Sequence, residues 1–96
     1  MIIANRIILK EFCRTHPDAT THINALINEF ESAIWETPVD VKQRYPRASI
    51  IDDSSVVFNV RNNRYRLLVL IDYQRGIVLI KNVGTHKEYD RWRIKQ

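Results

Sequence analysis

One cysteine, two glycines and three prolines are all that this 96-residue chain holds of the residues that staple, loosen or break a fold. Cys13 alone permits no internal disulfide, which fits a reducing, cytoplasmic setting. So little glycine and proline beside an apolar fraction of 45% argues for an ordered globule and against a disordered tail. Long hydrophobic runs are missing as well. The longest aliphatic stretch, Leu67 to Ile71, falls far short of the ~20 residues of a membrane span. The opening Met1 to Phe12 is broken by Arg6, Lys10 and Glu11, so it lacks the clean apolar core of a secretory signal. No cysteine pair accompanies His16, His22 and His86, and the three lie far apart. The chain therefore shows no metal-ligand spacing, and neither a metal nor another cofactor is expected. Repeats, low-complexity stretches and linkers are absent too, so residues 1–96 read as a single domain. A chain of this length buries roughly 60–65% of its unfolded surface, enough for one modest core.

Acidic residues are in short supply, 11 against 15 Lys and Arg, for a net charge of +4. Residues 1–53 hold six basic and eight acidic side chains, a net −2, whereas residues 54–96 hold nine and three, a net +6. A basic half on a small domain is the electrostatic footprint of a nucleic-acid partner.

The chain divides into a helical front and a stranded back. Met1 to Ala4 reads as a short strand. A helix follows from about Asn5 to Thr15, where Ile8 with Phe12 and Leu9 with Cys13 form i,i+4 pairs. His16-Pro17 ends it, because proline disfavours helix in the residue before it. Asp18 or Thr20 is expected to cap the next helix. Its apolar stripe is Ile23, Leu26, Ile27, Phe30, Ala33 and Ile34. Thr37-Pro38-Val39-Asp40 then reads as an N-cap with proline at the first helical position, opening a short helix to about Arg44.

From Ala48 the texture changes. Ser49 to Asp52, Val56 to Val60, Tyr65 to Ile71 and Ile77 to Val83 are rich in β-branched and aromatic residues. The breaks Arg61-Asn62-Asn63-Arg64 and Asp72-Tyr73-Gln74-Arg75-Gly76 have the length and composition of hairpin loops. Three strands on short loops make a meander, with the helices on one face. The expected fold is an α+β two-layer domain with an antiparallel sheet of four to five strands.

Alternation along Tyr65 to Ile71 puts Arg66, Leu68 and Leu70 on one face and Tyr65, Leu67, Val69 and Ile71 on the other. Arg66 thus stands at the rim of an apolar sheet. The next strand carries Lys81 toward its end, so hairpin geometry brings Arg66 and Lys81 to the same end, with Arg61 and Arg64 of the loop beside them. Gly84 permits a sharp exit from the strand. The segment it releases, Thr85-His86-Lys87-Glu88-Tyr89-Asp90, carries an imidazole, a phenol, an ammonium and two carboxylates. Cleaving RNA through its own 2′-hydroxyl needs such a set: a group to take the 2′-OH proton, cations for the charged phosphorane, and a group to protonate the leaving 5′-oxygen. His86, with an unperturbed pKa of ~6.5, suits proton exchange near neutrality. Tyr89 serves if neighbouring cations lower its pKa.

These residues also resemble a known family. Val57-Phe58-Asn59-Val60-Arg61-Asn62-Asn63-Arg64-Tyr65-Arg66-Leu67 and Val83-Gly84-Thr85-His86-Lys87-Glu88-Tyr89-Asp90 are similar to two signatures of HigB-like toxins, within the RelE superfamily. The likeness extends to the first helix, to Pro38-Val39-Asp40-Val41-Lys42 and to Tyr45-Pro46. It implies a RelE-like domain whose sheet cradles mRNA in the ribosomal A site. It further implies metal-independent cleavage of translated message and a cognate helix-turn-helix antitoxin, with operator DNA bound only through that antitoxin. By position, Arg66 is implied to lie near the scissile phosphate, and His86 and Tyr89 to transfer protons. Lys81 stands where many relatives have Arg, keeping the charge but losing bidentate phosphate contact. Arg61, Asn63, Arg64, Lys87 and Arg91 are the candidate RNA-binding residues, and Arg93 and Lys95 of the tail could add phosphate contacts. Two departures stand out. The loop Arg61-Asn62-Asn63-Arg64 replaces the family's Gly-Asn-Lys, and Asp53-Ser54-Ser55 stands where relatives carry a basic residue.

Plainer readings exist for several of these residues. Arg66 could form a structural ion pair with Asp72 or Glu88, and His86 could cap or brace the final turn. Tyr65, Phe58 and Trp35 read as packing, and Cys13 as an inert buried thiol. His16 and His22 read as surface or capping groups. Trp92 could cover the sheet or stack on a base. A basic domain that binds RNA or the ribosome without cutting, and a transcriptional co-repressor acting with its antitoxin, are the alternative functions.

Overall fold

A computed structural model describes residues 1–92. The chain runs β1 (Ile2–Ala4), α1 (Ile7–Thr15), a 3-10 turn (Pro17–Ala19), α2 (Thr20–Ser32), α3 (Pro38–Arg44), β2 (Ser49–Ile50), β3 (Ser55–Val60), β4 (Tyr65–Asp72), β5 (Ile77–Thr85) and α4 (His86–Tyr89). The five strands form one sheet in the order β1-β5-β4-β3-β2. This is the expected α+β arrangement with one difference. The meander β2 to β5 is antiparallel, but β1 lies parallel to β5, so the sheet is mixed. Hairpin loops force antiparallel neighbours, whereas β1 reaches the sheet through the whole helical layer and is free of that constraint.

The helices begin and end for local reasons. α1 stops at His16 (φ −132°, ψ 66°), the residue that Pro17 keeps out of the helical region. The 3-10 turn then leads directly into α2, whose N-cap position is Ala19. Neither Asp18 nor Thr20 caps that helix, contrary to expectation, and the Asp18 side chain is engaged elsewhere. Ile23, Ile27 and Phe30 of α2 are buried as the stripe predicts, but Ile34 is 86% exposed. The helix ends at Ser32 and Ala33 is extended (ψ 148°), so the helical period no longer applies to Ile34. α3 opens on Thr37 with Pro38 in the first turn, and the Asp40 carboxylate accepts the Glu36 and Thr37 amides at 2.8 and 3.2 Å. β2 is shorter than predicted. Asp52 Oδ1 accepts the amides of Ser54 and Ser55 at 3.0 and 2.7 Å, closing a turn that starts β3 at Ser55.

One core lies between the helices and a single face of the sheet. Phe30, Trp35, Tyr45 and Phe58 form an aromatic group with ring centroids 4.8–6.4 Å apart. Leu67, Val69, Ile71, Val78 and Ile80 supply the sheet floor. Along β4 burial alternates: Tyr65, Leu67, Val69 and Ile71 are buried, while Arg66, Leu68, Leu70 and Asp72 are half-exposed on the face away from α1 and α2. Asn59 of β3 and Gly84 of β5 are the cross-strand partners of Arg66 and share its face. No helix of the described residues is long and apolar enough to cross a membrane.

Candidate active site

Arg66 is the second residue of β4, paired with Gly84, one residue before the N-cap of α4. Because its carbon neighbours along the strand are packed, its guanidinium leaves a fixed backbone. Nη1 donates to the Asn63 carbonyl at 2.9 Å and, more weakly, to the Tyr65 carbonyl at 3.4 Å. The guanidinium carbon lies 5.4 Å from the centroid of the Tyr89 ring, a cation–π arrangement. The two proposed ion pairs of Arg66 are not formed. Asp72 accepts the Arg75 amide at 2.9 Å and lies 3.7 Å from its guanidinium, and Glu88 accepts the Thr85 amide at 2.8 Å. Among the described residues Arg66 faces no carboxylate, so its charge stays available to an anion.

The short helix that carries His86 and Tyr89 is built from a capping box. Thr85 Oγ1 accepts the Glu88 amide at 3.1 Å while Glu88 returns the bond to Thr85. The Thr85 amide, with the Thr85 hydroxyl, holds the Glu88 carboxyl below the usual carboxylate range. Thr85, not His86, caps this turn, and His86 braces it. Its amide donates to the Arg64 carbonyl at 3.1 Å, tying α4 to the β3–β4 turn, and its exposed imidazole lies 3.6 Å from Asp90. His86 and Tyr89, three residues apart, share one side of the helix.

Gly84 serves this arrangement differently from the sequence expectation. It makes no sharp turn: β5 continues through Thr85, and Gly84 has no positive φ. It gives room instead. A Cβ there would come within 3.0 Å of the Trp92 ring and 3.2 Å of Glu88 Cβ. Trp92 packs over this end of the sheet and meets Tyr89 edge to face at 5.4 Å.

The remaining candidates divide. Lys81 is the extra residue of a bulge, since Leu68 pairs with Asn82 and Val69 with Ile80. It is exposed but stands mid-strand, three residues before Arg66's partner Gly84, and so not at the very end of the sheet where the hairpin reading put it. Lys87 and Arg91 are exposed around α4. Arg61 is turned inward to Asp18, with which it forms a hydrogen-bonded ion pair. Arg64 is 3.8 Å from the same carboxylate yet mostly exposed. Asn63 is exposed and contributes its carbonyl to Arg66. Arg93 and Lys95 lie outside the described residues.

The packing readings hold: Phe58 and Tyr65 are buried, and Trp35 closes the aromatic group. His22 is exposed as expected, but His16 is half-buried, stacked on Phe12 at 4.1 Å with Nδ1 3.3 Å from the Phe12 carbonyl. Cys13 is half-buried rather than fully enclosed. Two residues escaped the sequence reading. Asn59, opposite Arg66, could have been found by counting back through the four-residue loop. Asp18, 47 positions from Tyr65, gives no local signal. Among the described residues no three His, Cys, Asp or Glu side chains gather as a metal site.

Residues 19–92 match the family model of the HigB toxin, described as a RelE-like toxic component of a toxin–antitoxin system. The mRNA interferase toxin HigB of Escherichia coli (strain K12) is 30% identical over 84 residues, which cover 85% of this chain and 81% of that protein. The mRNA interferases HigB of Escherichia coli O157:H7 and Shigella flexneri align with the same identity and coverage. With its second signature folded into a capped turn beside Arg66, and with most of its length matched, the chain belongs to the HigB toxins, the RelE-like toxic components of toxin–antitoxin systems.

Proposed function

We propose that the chain is an endoribonuclease that cuts translated mRNA in the ribosomal A site by attack of a 2′-hydroxyl on the adjacent phosphate, without a metal. The observation that carries this reading is the Arg66 guanidinium, 5.4 Å over the Tyr89 ring at the sheet end where His86 begins α4. Arg66, with no carboxylate partner among the described residues, lies there beside the Tyr89 phenol, and His86 opens the same short helix. Arg66 would stabilise the charge that develops on the phosphorane, and Lys81 would add a second cation from the bulge. His86 and Tyr89 would share the two proton transfers, from the 2′-oxygen and to the leaving 5′-oxygen. Lys87, Arg91 and the exposed donors of Asn63 and Arg64 would hold neighbouring phosphates or bases. The names of the relatives support the substrate class.

The partner that restrains this activity is a cognate helix-turn-helix antitoxin, and operator DNA is reached only through it. The toxin acts in the cytoplasm, where translating ribosomes are.

Primer extension on a message under translation tests the reading. New, codon-phased 5′ ends are expected, and a single 2′-deoxy substitution at the cut position should abolish them. Arg66→Ala and His86→Ala should each lower the cleavage rate by about 10²–10⁴-fold, the usual range for a charge-stabilising or proton-transfer group. An unbroken message with translation still blocked would replace the nuclease with a binding module. Full toxicity in both variants would overturn the site.

A further inference from the structure

The Asp18 carboxylate faces three donors from the opposite layer. Its Oδ2 accepts the Tyr65 hydroxyl at 2.5 Å, pairs with the Arg61 guanidinium, and lies 3.8 Å from that of Arg64. All three donors belong to the β3–β4 turn or to the first residue of β4. That turn needs holding. Arg61 and Asn62 both have positive φ, 51° and 60°, in a loop with no glycine. Left-handed conformations at non-glycine residues persist when the surroundings determine them.

The same turn is the scaffold of the active site. The Asn63 carbonyl receives the Arg66 guanidinium, and the Arg64 carbonyl receives the His86 amide. Tyr65 lies on the core face immediately before Arg66, with its ring against Phe12 and His16 at 5.3 and 5.5 Å. The Asp18–Tyr65 bond thus fixes the strand from below at the point where Arg66 leaves it above. Asp18 itself is set by Pro17 in the 3-10 turn between α1 and α2.

We infer that Asp18 is a positioning residue for the cleavage site: it anchors the β3–β4 turn, whose carbonyls place both the Arg66 guanidinium and the start of α4. This rests on the nuclease reading above, and it also removes Arg61 from the RNA-binding set. Asp18 touches neither substrate nor the reacting atoms and acts only through the turn.

Asp18→Asn is the discriminating variant, because it keeps size and one acceptor while removing the charge. Amide hydrogen exchange should show His86 N–H exchanging about tenfold or more faster, with the β4 core amides of Leu67 and Val69 unchanged. Single-turnover cleavage on saturating programmed ribosomes should slow by about 10- to 100-fold while ribosome affinity changes less than about threefold, since misplacement of a reacting group acts on the rate. Exchanging the partners, Asp18→Arg with Arg61→Asp, should restore part of the His86 protection. Unchanged His86 exchange would overturn the anchor, and so would faster exchange spread equally over Leu67 and Val69, which marks global destabilisation. If the unaltered toxin fails to cleave, the nuclease reading falls, and the exchange data alone judge the anchor.

Discussion

Tyr89 combines two jobs that single atoms can separate. Its ring lies under the Arg66 guanidinium and its hydroxyl is the proton-transfer candidate. Tyr89→Phe keeps the ring and should leave the fold intact while lowering the cleavage rate by about 10²-fold or more. Tyr89→Ala should add a loss of affinity for anionic RNA as Arg66 loses its support. Equal rates for the Phe variant and the parent would assign both proton transfers elsewhere. Gly84→Ala is an independent probe of the same spot. The added carbon meets the Trp92 ring and Glu88 Cβ, so the short helix must shift. A destabilisation of about 1–3 kcal/mol in denaturant titration is expected, with reduced cleavage. His86 and Tyr89 were singled out by their place after the strand end that carries Arg66, since the chain holds three histidines and four tyrosines and residue type alone selects neither. The reason for Gly84 could not, because close approach by Trp92 is a tertiary fact. Arg61 and Arg66 are the same residue type five positions apart, and only the position of Asp18 decides which one is neutralised.

At the scale of elements, α4 has four residues and little packing of its own, so its cap holds it. Thr85→Ala removes the acceptor of the Glu88 amide and should destabilise the turn by about 1 kcal/mol. Broadened or shifted amide signals at His86 and Tyr89, with the rest of the spectrum unchanged, would show it. Elements whose signals are local were legible in the sequence. Two hairpins follow from loops of four or five residues, α3 follows from Thr37-Pro38 and Asp40, and the faces of β4 follow from alternation. Elements set by distant partners were not. The parallel placement of β1 depends on β5, some 75 residues away, and α2 lacks a side-chain cap because the 3-10 turn runs straight into it and puts Ala19 at the cap position. The bulge at Lys81 is invisible to a period-two reading, because one extra residue shifts the register only locally.

For the whole molecule, stability rests on one core and a few charged fastenings. Phe58 sits in the middle of the aromatic group, and Phe58→Ala should cost about 3–5 kcal/mol. Set against a typical total of about 5–15 kcal/mol, that is a large share of the stability, and a melting temperature lowered by well over about 10 °C is expected by circular dichroism. Ile34→Ser, on a residue 86% exposed, should change stability by no more than about 0.5 kcal/mol. Acid should weaken the fold through three carboxyls held below their ordinary values: Asp18 chiefly by the Tyr65 hydroxyl, Asp52 by the Ser54 and Ser55 amides, and Glu88 by the Thr85 amide. A lowered folded value means that their stabilisation is complete above the ordinary carboxylate range of ~3.9–4.3. It is lost as pH falls through the lower folded values. Melting temperature followed from pH 7 downward should therefore drop below about pH 4, and Asp18→Asn, Asp52→Asn and Glu88→Gln should each flatten that slope.

The seam between β1 and β5 bears on the order of folding. Ile2, Ile3 and Ala4 find their partners in Ile77, Val78 and Leu79, so this strand waits for chain 75 residues further on. Pairings so remote in sequence form slowly. That edge of the sheet therefore closes only once residues 77–79 are in place, and a fragment ending before residue 77 should leave the Ile2–Ala4 amides unprotected in hydrogen exchange.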